Sequence, residues 1–190
     1  MMTDVRNKKT VLRNEYLTRR RAIPDEIRTR TDDAICRALI ASASFRFAST
    51  VLAYAPTTYE VNIMPAVHEA LRRGKRVAFP LCEAQAVMTF RYAAPSDLAK
   101  GMYGISAPQA DAPLCTEMQG ALCLVPAVLF DRNGFRIGYG GGYYDRFLST
   151  FEGMSLGIIR RDFILPTVPR GRYDRAVQAL VSEKGVHPIK

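Results

Sequence analysis

The sequence predicts an α/β protein in which helices pack on both faces of a mostly parallel β-sheet, giving three layers. Short, almost continuously apolar segments alternate with segments of helical periodicity along the chain. Strands that are apolar on both sides are typical of a parallel sheet covered by helices. The length of 190 residues is that of one domain, so residues 1–190 are expected to form a single unit.

The first forty residues predict two helices. Residues 5–22 carry apolar side chains at helical spacing among many Lys and Arg, which indicates a basic amphipathic helix. Pro24 interrupts this pattern. Apolar residues then keep helical spacing through residues 27–39, so a second helix is expected there.

The central part of the chain predicts strands separated by one helix. The segment "TVLAYAP" (50–56) is a short apolar run that ends at proline, as expected of a strand. A helix is predicted to end near Gly74, with a strand following at 76–80. Residues 87–93 form another candidate strand. The segment 94–120, rich in Ala, Pro, Ser and Gly, is expected to be a long ordered connection.

The C-terminal third continues the alternation. Residues 121–131 predict a buried strand and its exit, and 143–151 predict a helix. The segments 154–160 and 176–182 are expected to be two further strands. No internal repeat is recognisable.

The cysteine pattern and the hydropathy of the chain exclude several classes. The four cysteines show no CxxC spacing and no nearby histidine, so they are expected to be small buried apolar residues rather than zinc ligands or disulfide partners. The N-terminus has no apolar signal region, and no run of about 18 apolar residues occurs. We therefore expect a cytoplasmic protein with no membrane partner.

The net charge of +9 is concentrated at the two ends of the chain. Residues 1–30 hold nine Lys/Arg against four Asp/Glu, and residues 160–190 hold seven against three. The intervening residues are neutral, with eleven of each. Either a nucleic-acid binder or an enzyme whose ends converge on a polyanionic small molecule fits this pattern. No nucleic-acid-binding motif is recognisable, so no nucleic-acid partner is expected.

The segment "GFRIGYGGGYYDRFL" (134–148) is the strongest candidate for a functional site. It lies between a predicted strand and a helix, where α/β sheets commonly bind ligands. Its glycines can direct backbone N–H groups at one anion without Cβ interference. One arginine lies on either side of these glycines, and an aspartate shortly after the glycines could hold a divalent cation that is bound to phosphates. The alternative is a tight structural turn. The residues concerned are Gly138, Gly140, Gly141, Gly142, Arg136, Arg146 and Asp145.

The longer segment "VPAVLFDRNGFRIGYGGGYYDRFL" (125–148) resembles the signature of the 5-formyltetrahydrofolate cyclo-ligase (5,10-methenyltetrahydrofolate synthetase) family. Further features that resemble the family occur in order along almost the whole chain. They are "KTVLR" (9–13), "YAPTTYEVN" (54–62), "GKRVAFP" (74–80), "MYGISAP" (102–108) and "LPTVPRGRYD" (165–174).

This resemblance implies a fold like that of NagB, RpiA and CoA transferases, and a ligase that requires ATP and Mg²⁺. The substrate would be 5-formyltetrahydrofolate, and the products 5,10-methenyltetrahydrofolate, ADP and phosphate. Phosphorylation of the formyl oxygen would convert a poor leaving group into phosphate. The protein would then act mainly by positioning the substrates and neutralising charge. We expect it to act as a monomer.

The resemblance also implies site residues. Lys9 and Arg13, four apart on one helical face, would bind the nucleotide phosphates together with the loop. Catalysis is assigned to Arg136, Tyr143 and Asp145. The loop residues that would bind ATP are Arg136, Gly138, Tyr139, Gly140, Gly141, Gly142, Tyr143, Tyr144 and Arg146. The folate would contact Ala55, Glu60 and the part of the loop from Tyr139 to Tyr143. Asp145 and Asp174 would bind magnesium.

Several positions depart from the pattern of the family. Asn62 and Ile63 follow Glu60 where an acidic residue and a threonine are common, and Phe163 and Gln178 replace a Gln and an Asp. Ala127 stands where Gly is common. These changes lie mostly on the expected folate side. An alternative is therefore an ATP-binding enzyme or regulator of the same fold that acts on another pterin-like or small carboxylate ligand.

Overall fold

The computed structural model describes residues 2–189, apart from the side chains of Met2, Thr3 and Tyr103. These residues form five α-helices, four of which lie in the segments of predicted helical periodicity, whereas the short third helix was not predicted. Short 3₁₀ turns occupy residues 84–86, 95–97, 102–104 and 161–163. The α-helices are α1 (Met2–Arg21), α2 (Asp25–Ala41), α3 (Ala43–Phe47), α4 (Met64–Arg72) and α5 (Tyr143–Leu148).

The strands are short, and most of them follow the predicted apolar runs. They are β1 (Thr50–Leu52), β2 (Arg76–Cys82), β3 (Met88–Tyr92), β4 (Ala99–Lys100), β5 (Ser106–Ala107), β6 (Ala121–Pro126), β7 (Leu129–Asp131), β8 (Arg136–Ile137), β9 (Met154–Ile158), β10 (Ile164–Leu165), β11 (Ala179–Ser182) and β12 (Gly185–Pro188).

A seven-stranded sheet forms the centre of the molecule, in the order β12-β11-β9-β6-β1-β2-β3. The five inner strands run parallel, and both edge strands are antiparallel to their neighbours. In the middle of the sheet, Val51 pairs with Val77 on one side and Leu122 on the other. The parallel strands therefore all end at one edge, and the loops that follow them gather there.

Apolar clusters cover both faces of this sheet. One cluster joins the sheet to α2, α3 and α4 through side chains such as Ile35, Phe45 and Val67. The other joins it to α1 and α5 through side chains such as Tyr16 and Phe147. This mostly parallel sheet with flanking helices confirms the predicted α/β class.

The segment 121–131 differs from the prediction of one continuous strand. Its first part is β6, whereas its last residues form β7 in a separate three-stranded sheet, ordered β10-β7-β8. The change occurs at Ala127 and Val128, whose carbonyl oxygens accept hydrogen bonds from the Arg20 side chain. The Val128 N–H donates to Ile137 in the smaller sheet. A side chain from the N-terminal helix therefore binds the backbone at the point where the chain leaves the main sheet.

Two smaller expectations have different outcomes. The antiparallel edge strand β12 was not predicted, because its residues alternate between partly buried and exposed and form no apolar run. Three of the four cysteines are buried, as predicted, whereas Cys82 is half-buried. Within residues 2–189, no helix has both the length and the apolar character needed to cross a membrane.

Candidate active site

The loops that follow the parallel strands meet at the carboxyl edge of the main sheet. The Arg160 side chain, just after β9, donates to the carbonyl oxygens of Tyr59 and Glu60 in the loop after β1, at 3.2 and 3.3 Å. The Tyr143 hydroxyl, at the start of α5, donates to the carbonyl of Glu83 after β2, at 3.1 Å. Residues distant in sequence thus border one region, as expected for an α/β enzyme.

A tight turn at residues 131–135 precedes the glycine loop. The buried Asp131 carboxylate accepts backbone N–H groups from Asn133, Phe135 and Val168 at 2.9 to 3.1 Å. Gly134 has a φ of +80°, and a Cβ there would lie 2.5 Å from the Val177 carbonyl oxygen. Only glycine fits this position. The turn fixes the chain immediately before β8.

Arg136 and Asp145 form an ion pair beneath the loop. Arg136 Nη2 lies 2.8 Å from Asp145 Oδ1, and Nη1 donates to the Arg175 carbonyl at 2.7 Å. The same Asp145 oxygen accepts the Arg175 N–H at 3.1 Å. Burial lowers the pKa of Arg136, and the nearby Asp145 opposes that change. The Arg136 side chain, 4% exposed, therefore depends on the more exposed carboxylate for its charge partner.

The loop between Arg136 and Asp145 contains two glycines in the left-handed region. Gly140 has a φ of +107° and Gly142 a φ of +73°. Gly141 has no such φ, but a Cβ there would lie 2.7 Å from two atoms of the Tyr143 ring. Backbone conformation therefore favours glycine at positions 140 and 142, and close packing against Tyr143 favours glycine at position 141.

The basic N-terminal helix docks onto this loop. Lys9 Nζ lies 2.5 Å from Asp174 Oδ2, and Arg13 Nε donates to the Gly138 carbonyl at 2.6 Å. The Gly171 N–H also donates to Asp174, at 2.7 Å. Lys9 and Asp174 are both largely buried, although a carboxylate in such a loop would by default be expected to be exposed. The two basic ends of the chain are therefore in contact.

Glu60 is buried, although without the resemblance it would more simply have been interpreted as a surface charge. Its Oε2 accepts the backbone N–H and the hydroxyl of Thr57, both at 2.9 Å. Behind it, Arg160 pairs with Asp32 at 2.6 Å, and the second Asp32 oxygen accepts the Asn62 N–H at 3.0 Å. Burial raises the pKa of Asp32, while the Asn62 N–H and Arg160 act against that rise.

Arg20 is a buried residue of this region that the sequence analysis did not select. Its guanidinium contacts the Ala127 and Val128 carbonyls at 2.6 and 2.8 Å and lies 5.4 Å from the centre of the Phe163 ring. In sequence it is one of three consecutive arginines, of which the other two are exposed. The signal that could have identified it is its helical spacing from Tyr16, which is also buried.

The remaining predicted residues are placed in different ways. The Arg136 guanidinium lies 5.9 Å from the centre of the Tyr144 ring, and burial raises the pKa of Tyr144 well above its usual value. Tyr139 is exposed at the loop surface, Arg146 is exposed on α5, and Ala55 is half-buried after β1. Tyr144 therefore packs near Arg136, whereas more than half of Tyr139 is exposed to solvent.

The departures from the pattern of the family have structural partners. Gln178 accepts the N–H and hydroxyl of Ser155 at 2.6 and 3.0 Å, and so connects the start of β11 to β9. Asn62 accepts the Met64 N–H at the start of α4. Phe163 packs edge-on against Tyr16, with ring centres 5.7 Å apart. Gln178 therefore has a local packing role.

The oxygen donors near the loop fit a magnesium–nucleotide complex. Among the described residues, no group of three or more His, Cys, Asp or Glu side chains could hold a metal alone. Asp145 and Asp174 are two carboxylates that both lie near Arg136. Mg²⁺ is commonly bound by one or two carboxylates together with phosphate oxygens and water. The residues present match that requirement.

The fold and the site define an α/β enzyme whose glycine loop and cations suit a phosphate-bearing ligand. Residues 5–183 match the 5-formyltetrahydrofolate cyclo-ligase family, so the chain belongs to that family. The family and the class of enzyme predicted from the motifs, an ATP-dependent folate ligase, are thereby confirmed.

Individual relatives agree with this assignment. A 5-formyltetrahydrofolate cyclo-ligase of Mycolicibacterium smegmatis is 27% identical over 184 residues, covering 93% of this chain and 94% of that protein. The 5,10-methenyltetrahydrofolate synthetase structure from Aquifex aeolicus has a TM-score of 0.82 at 28% identity, covering 96% and 93% of the two chains. The Mycoplasma pneumoniae synthetase, at 20% identity and a TM-score of 0.75, covers 92% and 98% and shares the fold.

Proposed function

We propose that this protein converts 5-formyltetrahydrofolate to 5,10-methenyltetrahydrofolate with consumption of ATP and release of ADP and phosphate. One observation carries the proposal beyond family membership. Arg13 and Arg136, from distant parts of the sequence, contact the two ends of one glycine loop, and Lys9 pairs with Asp174, which lies near Arg136. Such a group of cations suits a polyphosphate, because several positive charges and backbone N–H groups can face it together.

The chemistry requires activation of the formyl oxygen. Transfer of the γ-phosphoryl group from ATP to that oxygen makes phosphate the leaving group. The lone pair of N10 then forms a bond to the formyl carbon, N10 loses its proton, and the C–O bond breaks with its electron pair going to phosphate. Catalysis of such transfers depends on alignment and charge stabilisation more than on covalent help from the protein.

The loop, the N-terminal helix and the ion pair are proposed to bind the nucleotide. Lys9 would transfer its contact from Asp174 to a phosphate, Arg13 would remain on the loop, and the loop N–H groups would face the phosphates. Asp145 and Asp174 would hold Mg²⁺, which neutralises phosphate charge when it is bound. Arg136 would keep Asp145 in place, since the two side chains already form an ion pair. Arg146 and Tyr144 would complete the nucleotide side.

The loop after β1 is proposed to bind the folate. The Glu60 carboxylate is an acceptor, and it suits the ring N–H and amino donors of a pterin. Ala55 would lie against the ring, and the part of the loop from Tyr139 to Tyr143 would close the other side. Tyr143 is proposed to position the reacting groups, because its ring packs on Gly141 at the centre of the loop. We also propose that the protein acts as a cytoplasmic monomer and without nucleic acid.

The direct test is to incubate the purified protein with ATP, Mg²⁺ and 5-formyltetrahydrofolate and to follow the absorbance of the methenyl product. Appearance of product that requires both ATP and Mg²⁺ is expected. Controls omit one component at a time. ATP binding without any methenyl product would contradict the proposal and favour the alternative, an enzyme or regulator of this fold with a different pterin-like or small carboxylate ligand.

A further inference from the structure

Arg20 has more hydrogen-bonding capacity than the protein uses. Its Nη2 atom donates to the Ala127 and Val128 carbonyls. Within the described part of the chain, its Nε and Nη1 atoms are buried and meet no hydrogen-bond acceptor. The residue is only 2% exposed. Buried donors of a charged group that remain unpaired are costly, so a second use of this guanidinium is expected.

The neighbours of Arg20 place it at the folate side of the site. Burial lowers the pKa of Arg20, and the nearby Tyr139 and Glu60 oppose that change. Tyr139 belongs to the glycine loop, and Glu60 belongs to the loop after β1. The Tyr139 hydroxyl interacts with the guanidinium but, among the described residues, completes no hydrogen bond with Nε or Nη1. Arg20, which is bonded to the two carbonyls that follow β6, thus lies within electrostatic reach of both loops proposed to hold the pterin.

Two further neighbours of Arg20 are an aromatic ring and a second cation. The Phe163 ring packs near the guanidinium, with 5.4 Å between Arg20 Cζ and the ring centre. Arg160, which is also buried, adds a second positive charge in the neighbourhood. An acceptor that carries partial negative charge is therefore favoured at Nε and Nη1, whereas a cation is disfavoured.

We propose that Arg20 is a substrate-binding residue that donates Nε–H and Nη1–H to a carbonyl oxygen at the pterin end of the folate. This inference rests on the proposed function. The pterin presents donors and a carbonyl acceptor on adjacent positions of one ring, and Glu60 and Arg20 supply the complementary acceptor and donor. A carbonyl oxygen is available both on the pterin ring and on the N5 formyl group, and the experiment separates them.

The experiment measures the dissociation constants of 5-formyltetrahydrofolate and 5-methyltetrahydrofolate in the absence of ATP. Wild type is compared with Arg20→Met, Arg20→Lys and the control Arg21→Met, which alters the exposed neighbour in the same helix. Arg20→Met is expected to weaken folate binding by about tenfold or more. Arg20→Lys should give a smaller loss, since lysine keeps the charge but not the fork of donors. Affinity for ATP should stay unchanged in all variants.

The two folates identify which oxygen Arg20 binds. Equal losses for both point to the ring carbonyl, and a loss confined to 5-formyltetrahydrofolate points to the formyl oxygen. Either result supports the proposal.

A structural role alone gives a different pattern. It predicts a lower melting temperature, through loss of the bonds to Ala127 and Val128, with both folate affinities unchanged in the folded protein. That outcome overturns the inference, and Arg20→Lys decides if Arg20→Met does not fold. Wild-type protein that binds neither folate overturns the proposed function itself.

Discussion

The carboxyl and amino ends of the parallel strands differ in whether nearby charged side chains are buried or exposed. Near the carboxyl ends, charged side chains from the loops, from α1 and α2 and from the smaller sheet are buried; in the described chain the buried charged residues are Arg20, Asp32, Glu60, Asp131, Arg136 and Arg160. At the amino ends, the ion pairs lie at the surface. Arg76, which begins β2, pairs with Glu117, and Glu69 near the end of α4 pairs with Arg72 and Arg73.

This difference separates buried charges that depend on a protein partner from charges that water already solvates. Exposed pairs contribute roughly 0–1 kcal/mol, because water already solvates both partners. Removing one partner of a buried pair costs more, about 3–5 kcal/mol, since the other charge is left unpaired. A fold that needed only stability would place apolar side chains at the carboxyl end, as it does in the apolar clusters on the two faces of the sheet. The buried charges mark the end at which the site is proposed.

The largest expected effect is that of Gly141→Ala on turnover. The added Cβ would lie 2.7 Å from the Tyr143 ring, so this ring must move and its bond to the Glu83 carbonyl is disturbed. A misplacement of about 1 Å at a reacting centre costs on the order of a hundredfold in rate. Steady-state turnover and melting temperature should be measured on one preparation, and the melting temperature should change little because Gly141 is exposed.

Gly138→Ala is the control for the effect of an added methyl group on the melting temperature, because a Cβ at this position meets no protein atom within 4 Å. A lower melting temperature for Gly141→Ala with intact specific activity would identify the loop as a structural turn.

Asp145→Asn tests the ion pair at the carboxyl end. The substitution keeps an oxygen for the Arg175 N–H but removes the charge that faces Arg136 and the proposed magnesium ion. Turnover should fall by about tenfold or more, and the Mg²⁺ concentration for half-maximal rate should rise. A variant with the magnesium dependence of wild type would refute the metal assignment and leave Asp145 as a partner of Arg136 alone.

Lys9→Met and Arg13→Met test whether the basic helix contacts the nucleotide. Each removes one charged hydrogen-bonding group from the loop region and should weaken ATP binding by about tenfold. The control is Lys8→Met, because Lys8 is exposed and pairs with Asp4 within the same helix. Titration calorimetry with ATP measures the effect. Equal ATP affinities for the Lys8, Lys9 and Arg13 variants would mean that the helix serves only to pack.

The smallest effect is expected for Glu69→Gln, at the amino end. Hydrogen bonds from Arg72 and Arg73 lower the pKa of Glu69 to about 2. The folded pKa lies below the unfolded value of about 4.3, so the ionised form contributes stability above that pH and loses it as the pH falls towards 2. The melting temperature at pH 7 should drop by about 2 °C or less.

The pH dependence provides the control for this variant. The difference in melting temperature between Glu69→Gln and wild type should shrink as the pH falls from about 4.3 to 2. A difference that persists unchanged at the acid end of this range would contradict the assigned role of the ion pairs.

Local patterns in the sequence were enough for much of the fold. The helices α1 and α2 and the strands β2 and β9 follow their predicted ranges, because burial on one or both sides leaves a local periodicity. The split of residues 121–131 was not predictable in this way, since β6 and β7 pair with strands of different sheets and the residues between them contact Arg20, more than one hundred residues earlier in the chain. Distant partners leave no local signal.

The same limit applies to the site. The glycine loop and Asp145 could be predicted from the sequence because they lie in one continuous segment, residues 134–148. The burial of Glu60 and the contact of Lys9 with Asp174 depend on packing between distant parts of the chain. Only the resemblance to the family therefore indicated these residues from the sequence. Asp131 was missed because its partners are backbone N–H groups, which every residue except proline carries.

Helix α1 carries Lys9 and Arg13, proposed to bind the nucleotide, near its middle and Arg20, proposed to bind the folate, at its end. The eleven helical steps from Lys9 to Arg20 span about 16 Å, and the helix is a stiff connection over that length. A nucleotide that fixes the first two side chains also restricts the position of the third. The affinities for ATP and folate should then be linked, and by thermodynamic reciprocity each ligand must change the affinity of the other by the same factor.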